Sequence, residues 1–131
     1  QRPPFEFLKK YKININTDYL IPKTMFFGDT CSYVFNPASV GFSRVTELLG
    51  TVETVIIEST FLEPRKEMGE SKYKERLDKR HMFLFDLYDI FKQYPKTQFL
   101  LIHFSACYDR ATIKSYVDDA NRTYGNVKAF I

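Results

Sequence analysis

The chain is 131 residues long, 44% hydrophobic and 27% charged, which suits one domain able to bury a core and excludes a disordered tail. Its 19 Lys and Arg against 16 Asp and Glu leave a net charge of +3, which permits a phosphate-bearing partner without requiring one. No apolar run approaches the ~20 residues of a membrane span, no signal-peptide pattern is read, and two cysteines make no disulfide framework, so an intracellular setting, cytoplasmic or nuclear, is expected.

The first twenty-odd residues are mixed. Lys9-Lys10-Tyr11-Lys12 is a short basic patch, and Ile13 and Ile15 alternate with Asn14 and Asn16 as in a brief strand or extended arm. From Pro22 the pattern sharpens. Thr24 to Phe27 is a short β-prone run stopped by Gly28-Asp29-Thr30. Apolar residues at 42, 45, 48 and 49 predict a helix over Phe42 to Leu49, closed by Gly50. Thr54 to Ile57 is a continuous β-branched run, the form of a strand covered on both faces, and it ends at Glu58-Ser59-Thr60.

Glu63 to Arg80 alternates in charge sign, with Glu70/Lys74 and Glu75/Lys79 at i,i+4 spacing, and predicts a solvated helix on which Tyr73, Leu77 and His81 share one line. Met82 to Tyr94 carries apolar residues at 84, 87, 88 and 91 and predicts an amphipathic helix closed by Pro95, with His81 at its start. Phe99 to Ile102 predicts a buried strand ending at His103-Phe104-Ser105. Asp109 is placed to cap a last helix with a stripe at 113, 116, 117, 120 and 124, Gly125 ends it, and Val127 to Ile131 reads as a final strand. Strands alternating with helices predict an α/β fold with a mostly parallel sheet and right-handed crossovers.

Three apolar runs end in reactive side chains: Phe26-Phe27 in Asp29, Ile56-Ile57 in Glu58, Leu101-Ile102 in His103. Ligands of parallel α/β sheets bind outside the carboxyl ends of the strands. Parallel neighbouring strands would therefore bring Asp29, Glu58 and His103 to one rim, with His81 in reach of it. Each residue also has a plain structural reading as a turn aspartate, a solvated glutamate or a packed histidine. The coincidence of three strand ends favours a metal or acid/base site, because carboxylate with imidazole suits zinc, manganese or iron. Zinc-finger spacing, a Walker loop and a dinucleotide fingerprint are all absent, and His81 and His103 are the only histidines.

These residues also carry a resemblance. Phe26-Phe27-Gly28-Asp29-Thr30 resembles the Gly-Asp-Thr motif of the metallo-β-lactamase fold, and Ile57-Glu58-Ser59-Thr60-Phe61 the His-Glu-Ala-Thr-Phe motif of its ribonuclease Z branch. Leu101-Ile102-His103-Phe104-Ser105-Ala106-Cys107-Tyr108 resembles that branch's Thr-His-Phe-Ser-x-Arg-Tyr motif, and Arg80-His81-Met82 sits where its His-Ser-Thr would be. Order and spacing agree from about Pro22 onward.

The resemblance implies the C-terminal half of a metallo-β-lactamase αββα sandwich spanning 1–131, with 1–21 less firmly placed. It implies Asp29 as a carboxylate bridging two metal ions, usually zinc, and His103 as a ligand to one of them. Glu58 and His81 would form a paired relay in which His81 protonates the leaving oxygen. The implied reaction is phosphodiester hydrolysis by a metal-activated water, in the branch proper at precursor-tRNA 3′ ends, by a protein commonly homodimeric. The departures are Ile57 for the first His, Met82-Phe83 for Ser-Thr, Cys107 for Arg, and no His-x-His-x-Asp-His loop. They imply a divergent hydrolase whose remaining ligands lie in a longer protein.

Cys31 and Cys107 read as free thiols in preference to a soft ligand pair with His103. Two other readings stand beside the enzyme. One is an inactive remnant serving interaction or dimerisation, with Glu63 to Arg80 as its surface. The other is a nucleic-acid binder using Lys9 to Lys12 and Lys72 to Arg80, whose affinity would fall steeply with salt.

Overall fold

The structure is a computed structural model and describes residues 18–131. The predicted arm at Ile13 and Ile15 and the Lys9 to Lys12 patch lie outside the described residues.

Four strands form one sheet: β1 (Thr24–Phe26), β2 (Thr54–Glu58), β3 (Gln98–Ile102) and β4 (Val127–Ala129). Their order is β1-β2-β3-β4 and every pair is parallel, with Phe26 opposite Ile56, Glu58 opposite Ile102 and Leu101 opposite Ala129. The helices between them are α1 (Phe42–Leu49), α2 (Arg65–Met68), α3 (Glu70–Asp78), α4 (Tyr88–Gln93) and α5 (Arg110–Tyr124). Short 3₁₀ turns occupy Ser32–Phe35 and Leu84–Leu87. The fold is α/β, as the alternation predicted. None of the described helices is long and apolar enough to cross a membrane.

Consecutive strand order combined with right-handed crossovers puts every connection on the same side of a sheet. The core reflects this. Val55, Ile57, Phe99, Leu101 and Val127 of the strands pack in one cluster with Leu49 of α1, Phe91 of α4 and Ile113, Val117 and Ala120 of α5. The alternate side chains face the other way. Ile56 and Leu100 are only half-buried, and Phe26 is 65% exposed. The expectation that β2 is covered on both faces is therefore corrected for the described residues: the apolar run fully buries one face, while on the other Ile56 is only partly covered and Glu58 is buried.

Two helix predictions also change. The charged stretch is not one helix but two, because Gly69 adopts φ +87°, ψ 150°, outside helical space. The break redirects an ion pair: Glu70 meets Arg65 at 2.6 Å, not Lys74, while Glu75 and Lys79 pair at 3.3 Å as expected. Both helices bury no residue, as a solvated stretch should. Since α3 stops at Asp78, His81 lies beyond it and does not extend the Tyr73–Leu77 line. Nor does His81 start a helix. Met82 and Phe83 are fully buried and extended alongside Phe61, with Phe61 N donating to Met82 O at 3.2 Å and Leu84 N to Phe61 O at 2.8 Å. Those pairings take up the backbone groups that a helix from Met82 would need, so helical turns begin only at Leu84.

The last helix forms as its signals require. The Asp109 carboxylate accepts from Thr112 N at 2.7 Å at the start of α5, and Gly125 closes it in the left-handed region with φ +79°. Gly125→Ala places a Cβ in that region and is expected to cost about 1 kcal/mol, read as a lower urea midpoint at unchanged slope.

Candidate metal centre

A parallel sheet sends every strand's carboxyl end to one edge. Asp29 follows β1 across Gly28, Glu58 is the last residue of β2, and His103 directly follows β3. His81 arrives from the extended segment between α3 and Leu84. The four meet: one ligand-type atom from each lies within 4.8 Å of all the others. The imidazole rings of His81 and His103 stand 5.5 Å apart between centroids.

Burial separates their roles. The Glu58 side chain is 2% exposed, that of His81 24% and that of His103 53%, and Asp29 is exposed. Glu58 is the floor of the site. Its Oε1 accepts from Thr30 N at 2.7 Å, and its Oε2 accepts from Met82 N at 3.3 Å. The His81 Nδ1 lies 3.0 Å from Oε2 and 3.2 Å from Oε1, and the Thr60 hydroxyl donates to Oε2. Three of these donors gather at Oε2, and Oε1 takes Thr30 N and a share of His81 Nδ1, so the protein's own groups engage most of the carboxylate's acceptor capacity although it lies within the cluster. It serves as an anchor behind the ligands, as the carboxylates beside ligating histidines do. Among the described residues, Asp29 and His103 offer donor atoms of the types that hold zinc, manganese or iron. His81, tied at Nδ1, keeps Nε2 free.

The backbone is unusual at the same place. Among the described residues, Arg80 and His103 are the two non-glycine residues with positive φ, at 56° and 58°. One is a histidine of the site and the other directly precedes the second histidine. Such conformations persist where the surroundings over-determine them, and they concentrate at functional sites.

A second polar network lies beside the first. Phe61 presents its ring edge-on to His81, 6.3 Å between centroids, while the Arg76 guanidinium sits 4.3 Å above the Phe61 ring. Arg76 reaches Glu63 at 3.2 Å, and the Tyr108 hydroxyl also donates to Glu63. Burial pushes the Glu63 carboxyl up, but the Tyr108 hydroxyl and Arg76 outweigh it and hold it below the usual range. The Tyr108 hydroxyl is pushed up to about 12, chiefly by burial and then by Glu63. Leu62 N donates to the same hydroxyl at 3.2 Å, so the network ties the segment after β2 to the segment after β3.

Asp86 behaves oppositely. Burial raises it above the usual carboxylate range against the opposing pull of Ser32 and Arg65, and its Oδ2 is buried with no hydrogen-bond partner among the described residues. An acid raised by folding holds its proton better folded than unfolded. The folded state is then favoured most in acid, and the advantage is lost as pH rises through the raised folded value. Asp86→Asn is expected to be more stable than the parent at neutral pH, with the gain fading below the ordinary carboxylate range. Urea unfolding at the two pH values measures it.

The sequence pointed to Asp29, Glu58, His81 and His103, and the structure brings all four together. It missed Thr60, whose hydroxyl lies 3.1 Å from His103 Nδ1. The available signal was spacing: two residues after Glu58 in extended chain, Thr60 points to the same side as Glu58. Cys31, half-buried, and Cys107, exposed, are free thiols, and neither belongs to the cluster. No family model matches the sequence, and no curated protein matches it.

Proposed function

We propose that this chain is the C-terminal half of a metal-dependent hydrolase of the metallo-β-lactamase fold, ribonuclease Z-like, acting on phosphodiesters such as precursor-tRNA 3′ ends. The observation that carries the proposal is the meeting of Asp29, Glu58, His81 and His103 at one sheet edge, each within a segment that resembles a motif of that branch. The incomplete cover among the described residues over Phe26, Ile56 and Leu100 supports it, since parallel sheets are ordinarily covered on both faces and the second layer of a sandwich would complete that cover.

In this reading Asp29 and His103 hold the metal, zinc first and manganese or iron as alternatives, with further ligands from the rest of the fold. Bound there, the metal supplies charge stabilisation and an activated water. The protein's own groups do the rest. Glu58 fixes the ring of His81 through Nδ1 and balances its charge when it is protonated. The Nε2–H of His81 gives its proton to the departing oxygen. Glu58 is held in place by its four donors.

The full-length protein is expected to hydrolyse bis(p-nitrophenyl) phosphate only when zinc, manganese or iron is present, and His81→Ala is expected to lower kcat roughly 100-fold or more. Background hydrolysis at every metal tested overturns the enzymatic reading. It would leave a second one, a non-catalytic domain for interaction or homodimer formation, which the exposed Phe26 and Phe130, 65% and 75% accessible, favour.

A further inference from the structure

We infer that Thr60 is a positioning residue that fixes His103 in the tautomer carrying its hydrogen on Nδ1, leaving the Nε2 lone pair free to face the cleft. The inference rests on the reading of His103 as a metal ligand only for what that lone pair is used for.

The argument is a count of protons. The Thr60 hydroxyl is surrounded by three atoms: Glu58 Oε2, His103 O at 3.0 Å and His103 Nδ1 at 3.1 Å. It has one hydrogen to give and two lone pairs with which to accept. A carboxylate oxygen and a carbonyl oxygen can only accept. An imidazole nitrogen does either, depending on the tautomer. Of the three contacts that to the Glu58 carboxylate is the closest, and carboxylates are the strongest acceptors of the three; Glu58 is 1% exposed, so the protein itself must supply the hydrogen. The hydrogen therefore goes to Glu58.

Were it turned to His103 Nδ1, two oxygens would face each other inside the protein with no hydrogen between them, which costs the desolvation of the buried acceptor. With the hydrogen on Glu58, the contact to Nδ1 is a bond only if Nδ1–H donates to Oγ1. A neutral ring carries one hydrogen, so Nε2 has none.

The direct separation of His103 Nδ1 from Glu58 Oε2 is 3.7 Å, too long for a hydrogen bond. The hydroxyl makes the link that the carboxylate cannot. Glu58 thus orders both histidines, His81 by its own oxygens and His103 through Thr60, and in both rings Nε2 is the nitrogen left over. Carboxylates that fix ligating histidines ordinarily do so directly; here one hydroxyl is interposed.

The test is nitrogen NMR on metal-free protein labelled with ¹⁵N-histidine, at a pH where both rings are neutral. The chain has two histidines, and His81→Gln assigns them. The expected spectrum shows His103 hydrogenated at Nδ1. Thr60→Val, the same shape without the hydroxyl, is expected to move it towards the Nε2–H form, and Thr60→Ser to restore the parent pattern. Zinc affinity of the full-length protein is expected to fall roughly 10–100-fold in Thr60→Val and to recover in Thr60→Ser. A parent spectrum with His103 hydrogenated at Nε2 overturns the inference even if no variant folds, and so does a Thr60→Val spectrum identical to the parent. If the tautomer follows Thr60 while no variant binds metal, the role of Thr60 stands and the metal reading falls.

Discussion

Glu58→Ala is expected to remove roughly 2–5 kcal/mol of folding stability, measured by urea unfolding at neutral pH. Glu58 is almost wholly buried, and its two oxygens receive Thr30 N, Met82 N, His81 Nδ1 and the Thr60 hydroxyl. Alanine leaves those donors facing an empty space, and each unsatisfied buried group costs about 1–3 kcal/mol. A domain of this size has a total margin of roughly 5–15 kcal/mol, so the change takes a large share of it. Glu58→Gln is expected to fall between parent and alanine, because the amide keeps the shape and one oxygen but turns two hydrogens towards groups that also donate. A loss below about 0.5 kcal/mol for alanine, the range of ordinary surface changes, would mean that Glu58 does not hold these segments together.

Asp29→Ala and His103→Ala are expected to separate metal binding from stability. Each should weaken zinc binding of the full-length protein by about 100-fold or more, beyond what loss of a supporting residue produces, as read by competition with a chromophoric chelator. Asp29 is exposed and His103 half-exposed, so unfolding midpoints should move far less than for Glu58. Alanine at 103 must adopt the left-handed backbone, where φ is 58°. His103→Asn, which tolerates that region better, is the variant that keeps the fold while removing the imidazole. Unchanged bound metal in both Asp29→Ala and His103→Asn would show that the ligands are other residues.

The strands and α5 were legible because their signals are local. The β-branched run at Thr54 to Ile57, the Asp109 cap and the Gly125 stop act within a few residues of themselves. Glu58 was legible as a strand-end acid, but its burial was not, because the groups that consume its charge come from 28 residues before it and 24 after it. The segment from His81 to Phe83 was misread as helical for a related reason. Its apolar residues fit a helical stripe, yet its backbone is claimed by Phe61, a long-range pairing that no periodicity records. The partly covered face of β2 was hidden in the same way, since a continuous apolar run reads alike whether one side or both are fully packed. Thr60 escaped because a threonine after a strand is ordinary until its neighbours are known.

Each strand in this sheet pairs only with its neighbours in sequence, so the sheet resembles a short row of tiles more than an arch. A row loosens from its ends. Among the described residues β1 is a three-residue outer tile whose one strand partner is β2, and Asp29 hangs from it, whereas Glu58 and His103 hang from the two middle tiles. If that end frays, Asp29 is expected to move first and Glu58 to lose Thr30 N, while it keeps Met82 N, His81 and Thr60. Whatever the centre does through Asp29 is therefore expected to be its part most sensitive to the order of β1.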